Sequence, residues 1–142
     1  MPRVRSKLVA GFLVFGMAAC GSAGASDTEP SPPARVVHVA GVRERRIVLT
    51  RKAVHRLGLN TTRVAGALAG VKVPYSALIY DPHGRAWVYR QVRTRTFQRA
   101  RVTVDRIDGD VAYLTSAPRV GTPVVSVAAA EVYGTEFFSD HE

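Results

Sequence analysis

The side chains that most often bind a metal ion or attack a substrate are scattered along this sequence. The four histidines, His38, His55, His83 and His141, include no pair at the spacing of a metal-binding motif. No serine stands in a G-x-S-x-G motif, the pattern that presents a catalytic nucleophile in many hydrolases. The sequence therefore predicts no enzyme, no defined metal site and no cofactor.

One group of like charges could instead bind a partner. Five arginines lie close together on a β-prone stretch and its loop: Arg90, Arg93, Arg95, Arg99 and Arg101. Such a run is compatible with a solvated sheet face that guards an edge against aggregation. The functional alternative is a docking strip for anionic lipid or for an acidic partner. Both interpretations stay open at this point.

A second candidate docking feature lies near the C-terminus. Residues 131–138 follow an apolar segment and are expected to leave the sheet and pack over an open end. This segment carries three aromatic residues that could contact a partner: Tyr133, Phe137 and Phe138.

The N-terminus has the pattern of an export signal. Three basic residues precede twelve largely apolar residues and then Cys20, the single cysteine of the chain. Met17-Ala18-Ala19-Cys20 resembles the lipobox of bacterial lipoproteins, although the first position of that motif is usually Leu. The resemblance implies that Cys20 carries a diacylglyceryl lipid and anchors the chain extracytoplasmically to a cell membrane. An ordinary secretory signal with an incidental cysteine, or a free thiol, is the alternative.

Composition divides the chain into four segments. We predict a signal peptide over residues 1–19, a disordered tether over 20–35, a folded domain over 36–138 and a short tail over 139–142. The formal net charge is +9; without the three bases of the signal, 17 Lys and Arg face 11 Asp and Glu, a net of +6. A basic surface favours an anionic membrane or an acidic partner, and export makes nucleic acid the least favoured ligand.

The centre of the folded domain is a predicted hairpin. Two apolar runs, residues 73–80 and 86–92, flank a turn in which Pro82 presets φ and Gly84 relieves the exit. They predict two antiparallel strands. Four aromatic side chains of this hairpin are expected to form the core: Tyr75, Tyr80, Trp87 and Tyr89.

The remaining elements are short. Residues 51–57 predict one helix, with Thr50 as N-cap and Gly58 after its end. Alternating residues 100–105 predict a half-buried strand, and Asp108-Gly109 predicts the turn to the next strand. A further strand is predicted over residues 123–130. Short strands at this spacing indicate a mainly β fold, a small β-barrel or β-roll of antiparallel strands with one short helix.

These elements resemble part of a known family. Residues 47–64, IVLTRKAVHRLGLNTTRV, are similar to the LT-x-x-A-x-x-RLGI-x-T segment of periplasmic adaptor proteins, also called membrane fusion proteins. Residues 73–89, VPYSALIYDPHGRAWVY, look like the membrane-proximal domain of that family, and residues 97–104 and 121–131 echo its closing strands. The resemblance covers roughly residues 46–137. It implies a β-domain beside a membrane transporter, because these adaptors couple an inner-membrane pump to an exit duct.

The chain also departs from the family. A full adaptor inserts a lipoyl-like domain, in most cases also an α-helical hairpin, and a β-barrel domain among these segments, whereas only six residues separate Val64 from Val71 here. We therefore expect a reduced adaptor, a lipid-anchored accessory domain that docks to an inner-membrane transporter. The alternatives are a stand-alone lipoprotein that binds a small ligand or a metal, and a purely structural envelope lipoprotein.

Overall fold

A computed structural model describes residues 31–138 of the chain. Within that range the elements are β1 (Ala34–Val37), β2 (Arg46–Leu49), α1 (Arg51–Leu57), β3 (Asn60–Arg63), β4 (Ala65–Gly66), β5 (Val71–Pro74), a 3-10 turn (Tyr75–Ala77), β6 (Ile79–Tyr80), β7 (Ala86–Arg93), β8 (Thr96–Arg101), β9 (Thr103–Asp108), β10 (Val111–Ser116), β11 (Pro123–Val127) and α2 (Ala129–Phe138). The folded segment begins slightly before the predicted boundary at residue 36. The predicted signal and tail lie outside the described residues.

The strands pair into two antiparallel sheets rather than one closed barrel. The larger sheet has the order β1-β2-β8-β7-β11-β3, with β6 also paired to β7, and the smaller sheet has the order β4-β5-β10-β9. The predicted mainly β fold of antiparallel strands is confirmed. The chain passes between the sheets at buried Val102, which separates β8 from β9.

Each face of the larger sheet covers a separate hydrophobic core. Successive side chains of a strand point to opposite faces, so Val88 and Tyr89 of β7 enter different cores. Val88 packs with Val73 and Leu114 of the smaller sheet. Tyr89 lies in the other core, which α1 and α2 cover. Residues 31–138 therefore form three layers, in the order small sheet, large sheet and helices.

Helix α1 forms where the local sequence predicts it. The side-chain hydroxyl of Thr50 accepts a hydrogen bond from the N–H of Ala53 at 3.1 Å, which satisfies one free donor of the first turn. Gly58 ends the helix in the left-handed conformation, with φ of 57°. Ala53 is the buried contact of this helix with the sheet.

The central hairpin is confirmed only in part. Its turn forms as predicted, with the N–H of Gly84 donating to the carbonyl of Asp81 at 2.9 Å, and Trp87 and Tyr89 are buried. The first predicted strand is not continuous, because the 3-10 turn separates β5 from β6 and sends them to different sheets. Tyr75 and Tyr80 are each 46% exposed, so their predicted place in the core is wrong.

The smaller sheet matches its local predictions in part, because the strand predicted over residues 100–105 is broken at Val102: residues 100 and 101 end β8 in the larger sheet, and Thr103 begins β9. Val102 is buried and Val104 is partly buried, whereas Thr103 and Asp105 face solvent, as the alternating pattern predicts. Gly109 has a positive φ of 55° in the turn between β9 and β10. The predicted hairpin is therefore confirmed.

The prediction of a single helix is wrong. Strand β11 ends at Val127, Ala128 takes a φ of 69°, and α2 then runs across the larger sheet. Alanines have high helix propensity, and the buried side chain of Val132 holds the helix on the core. An apolar run of small residues fits a strand or a helix equally well, so packing decided between them.

Candidate functional site

A buried carboxylate lies between α2 and the larger sheet. Glu136 is only 1% exposed, and the hydroxyl of Tyr89 donates a hydrogen bond to its Oε2 at 2.6 Å. The Nε of Arg99 lies 3.2 Å from Oε1, an ion pair without hydrogen-bond geometry at that nitrogen. Strand pairing explains the arrangement, because Tyr89 stands directly opposite Arg99 and both point towards α2.

Aromatic rings extend this polar contact towards the Asp81 turn. The guanidinium of Arg99 lies 4.5 Å from the ring centre of Trp87 and 5.0 Å from that of Phe137, two cation–π contacts. The indole Nε1–H of Trp87 then donates to Oδ2 of Asp81 at 3.1 Å. Arg85 donates to the same oxygen at 2.6 Å. These contacts connect a turn, two strands and a helix. We call the set the buried polar network, in which only the side chain of Arg85 is exposed: Asp81, Arg85, Trp87, Tyr89, Arg99 and Glu136.

The network shifts the pKa values of two of its members, Asp81 and Tyr89. Burial raises the pKa of Asp81, but hydrogen bonds from Arg85, Trp87 and the N–H of His83 outweigh burial and hold it well below its ordinary value. Burial raises the pKa of the Tyr89 hydroxyl far above its ordinary value, and the hydrogen bond to Glu136 adds to that rise. Asp81 is therefore ionised and Tyr89 neutral at neutral pH. In these states the two groups hold the elements together.

The pKa of Asp81 predicts an acid-dependent loss of stability. Because the folded state holds this pKa below its ordinary value near 3.8, the unfolded chain takes up the proton first as the pH falls. The stabilising contribution is complete above about pH 5, falls from about pH 4 downwards, and is lost as the pH passes through the folded pKa. Urea unfolding at several pH values should show a steeper acid slope for the natural chain than for Asp81→Asn. Equal slopes would contradict this assignment.

The five candidate docking arginines do not form one strip. Arg99 and Arg101 lie on the face of the larger sheet that α2 covers, and Arg99 belongs to the buried polar network. Arg90 points to the opposite face, where it donates to the side-chain oxygen of Gln98 at 2.9 Å. Only Arg93 and Arg95 remain together, at the turn between β7 and β8. Arginines that are close together in the sequence therefore lie on different faces and at one end of the larger sheet in the folded domain.

The aromatic tail residues lie on α2. Tyr133 and Phe137 contact each other with ring centres 4.7 Å apart, and Tyr133 packs against the core beneath the helix. Phe138 is 72% exposed and remains available to a partner. This segment packs on a sheet face rather than over an open end.

The predicted lipidation site and the four histidines were the remaining candidate sites. Cys20 and His141 lie outside the described residues, whereas His38, His55 and His83 are exposed. Among residues 31–138, no three histidine, cysteine or acidic side chains come close enough to hold a metal ion. In the same range no helix has the length and apolar character needed to cross a membrane.

A groove on the outer face of the smaller sheet escaped the sequence analysis. It encloses about 720 Å³ and is lined by the β4–β5 loop together with Lys72, Arg106 and Tyr113. These three residues stand opposite one another on neighbouring strands, and the guanidinium of Arg106 lies 3.9 Å from the ring centre of Tyr113. Arg106 also pairs with Asp105 at 3.1 Å. Strand register brings these residues together, so spacing along the chain could not reveal the groove.

Comparison with known proteins adds no family. A scan against protein-family models and searches of curated proteins and of solved structures gave no significant match.

Proposed function

We propose that this chain is a lipid-anchored extracytoplasmic domain that acts by contact and docks against a membrane transporter. The lipobox-like sequence before Cys20 supports the anchor, and the adaptor-like segments support the class of partner. The observation that carries docking is a set of exposed apolar side chains at one end of the larger sheet. We call this set, Tyr75, Tyr80 and Val127, the aromatic end.

The aromatic end presents its side chains on fixed backbone. Tyr75 and Tyr80 are each 46% exposed and Val127 is 48% exposed. The N–H of Tyr75 donates to the carbonyl of Asp110 at 2.8 Å, and the hydroxyl of Ser76 donates to the carbonyl of Ser126 at 2.8 Å. Exposed tyrosines on a rigid support are typical of protein-binding surfaces, because they bury a large area at little cost in conformational entropy.

A lipid on Cys20 would allow even a weak interface to support docking to a membrane protein. Confinement near the membrane raises the effective concentration of the domain around a membrane protein without any added contact. The arginines serve less well as the main docking surface. Arg99 is bound internally, so a charge reversal that includes it would disturb folding as well as docking.

Site-specific photo-crosslinking in intact cells of the native host tests the docking. A crosslinking amino acid replaces Tyr80, and the matched control replaces His55, an exposed residue in the last turn of α1. We expect mass spectrometry to find a transport protein of the cytoplasmic membrane on the Tyr80 variant and not on the control. If neither position captures one, or both capture the same proteins, docking is wrong and the structural-lipoprotein alternative replaces it.

The same cells test the anchor separately. Cys20→Ser should release the protein from the membrane fraction or leave it as unprocessed precursor, since two acyl chains are needed for stable attachment. A processed natural chain whose intact mass includes no lipid would contradict the anchor.

A further inference from the structure

Six strands of the larger sheet have their ends side by side in one row. We call this row of strand ends an edge of the sheet. Antiparallel pairing places together the start of β1, the end of β2, the start of β8, the end of β7, the start of β11 and the end of β3. With strands about 4.8 Å apart, this edge is roughly 24 Å wide. The described chain also begins there, because the N–H of Thr50 donates to the carbonyl of Pro33 at 3.0 Å. Pro33, close to the first described residue, therefore lies at this edge.

Basic residues occupy this edge across its width. We call them the basic edge: Arg51, Lys52, Arg63, Arg93, Arg95 and Arg119. Arg95 is half-buried and the other five are exposed. Hydrogen bonds position two of them: the carbonyl of Arg95 accepts from the N–H of Leu49 at 2.9 Å, and the guanidinium of Arg63 donates to the carbonyl of Gly121 at 2.8 Å.

The acidic residues of the described range lie elsewhere. Glu44 precedes β2, Asp81 lies in the turn before β7, and Glu131 lies in the first turn of α2, all at the opposite end of the larger sheet. Glu136 is buried beneath α2. The other three, Asp105, Asp108 and Asp110, lie on β9 and its following turn. The domain is therefore electrostatically polarised, with its positive end where the N-terminal segment joins.

Two exposed apolar side chains project from loops beside the basic edge. Leu68 is fully exposed at the tip of the β4–β5 loop, and Val120 is 61% exposed in the loop before β11. Val64, which leads from β3 into β4, contacts the loop before β11, since its N–H donates to the carbonyl of Thr122 at 2.9 Å and its carbonyl accepts from the N–H of Gly121 at 2.8 Å. A leucine and a valine beside a row of cations match a bilayer surface, where phosphates lie above the first acyl carbons.

We propose that the basic edge rests on an anionic phospholipid bilayer, with Leu68 and Val120 entering the headgroup region. This inference rests on the proposed function only for the presence of the lipid anchor. Ten residues lie between Cys20 and Ser31, so the two are at most about 40 Å apart in a fully extended chain. A lipid on Cys20 would therefore keep the domain within about this distance of the bilayer, and the charge of the basic edge would select the surface that faces it. The aromatic end then faces away from the lipid at the opposite end of the larger sheet.

Vesicle binding by the unlipidated chain tests the proposal. The protein is the chain from residue 20 with Cys20→Ser, which retains both hydrophobic cores. Flotation with vesicles of phosphatidylglycerol and phosphatidylcholine should show binding at 0.05 M salt that weakens strongly at 0.5 M salt. Vesicles of phosphatidylcholine alone should bind far less. Failure to bind the anionic vesicles overturns the proposal.

Matched variants then locate the surface. Arg93→Gln with Arg119→Gln removes two charges from the basic edge, and Arg43→Gln with Arg101→Gln removes two exposed charges elsewhere. We expect the first pair to lower the partition coefficient about tenfold or more and the second pair to change it less than threefold. Equal effects would show that binding follows net charge alone, and the basic edge would not be a docking surface.

An apolar substitution distinguishes a bilayer from a soluble polyanion. Leu68→Ser should weaken vesicle binding and leave binding to polyaspartate unchanged. The control Val42→Ser replaces an exposed apolar residue elsewhere and should change neither. If Leu68→Ser has no effect and polyaspartate binds as well as vesicles do, the edge binds an acidic macromolecule and the proposal falls. Because the vesicles contain no transporter, these results are independent of crosslinking at Tyr80.

Discussion

Glu136→Ala is expected to destabilise the domain by about 3 kcal/mol, because it leaves the partly buried cation of Arg99 and the buried hydroxyl of Tyr89 without their partner. The guanidinium of Arg99 would keep its position over Trp87 and Phe137 but lose the carboxylate 3.2 Å from its Nε. The Tyr89 hydroxyl would lose its acceptor at 2.6 Å in a site closed to water. The midpoint of urea unfolding at neutral pH measures the loss.

Two controls separate the buried charge from the helix that carries it. Glu131→Ala removes an exposed carboxylate from the first turn of the same helix and should change stability by no more than about 0.5 kcal/mol. Glu136→Gln keeps the volume and an acceptor for Tyr89, so its effect should fall between the two. Equal losses for Glu136→Ala and Glu131→Ala would show that the ion pair contributes nothing to the fold.

Trp87→Ala is expected to cost about 3–5 kcal/mol, a large part of the stability of a small domain. The indole is 6% exposed and lies between the Asp81 turn and the Arg99 guanidinium. Its removal would leave a cavity and take away one of the hydrogen bonds that keep Asp81 ionised. Chemical unfolding followed by far-ultraviolet circular dichroism measures the change, because the variant has no tryptophan.

Trp87→Phe serves as the conservative counterpart. It keeps an aromatic ring under Arg99 but cannot donate to Asp81, so a loss of about 1–3 kcal/mol is expected. In the natural chain the single tryptophan also reports its own surroundings. Fluorescence of the folded protein with the emission maximum of a water-exposed indole would contradict its burial.

Local sequence by itself determined the parts of this protein whose physics acts within a few residues. The hydroxyl of Thr50 and the glycine at 58 delimit α1, and the residues between Asp81 and Gly84 form the predicted turn. The alternation of apolar and polar residues over 100–105 predicted which of these side chains point inward. Each of these outcomes follows from capping, turn chemistry or the two-residue period of a strand.

Only the tertiary structure decided which distant residues meet. Residues 73–80 have the composition of one strand, but β5 and β6 pair with different sheets, which exposes Tyr75 and Tyr80. The ion pair between Arg99 and Glu136 depends on α2, a helix that packing selected from a run equally suited to a strand.

The pairing of strands also explains why the arginine run over residues 90–101 separates in space whereas the arginines of the basic edge come together. Arg90 is close in sequence to Arg99 and Arg101 but lies on the opposite face of the larger sheet, because β7 and β8 send alternate side chains to opposite faces. Arg51, Arg63, Arg93 and Arg119 are far apart in sequence and lie along one edge, because strand order brings their ends together. Charge spacing along a chain carries no information about strand order, so this edge could be found only in the folded molecule.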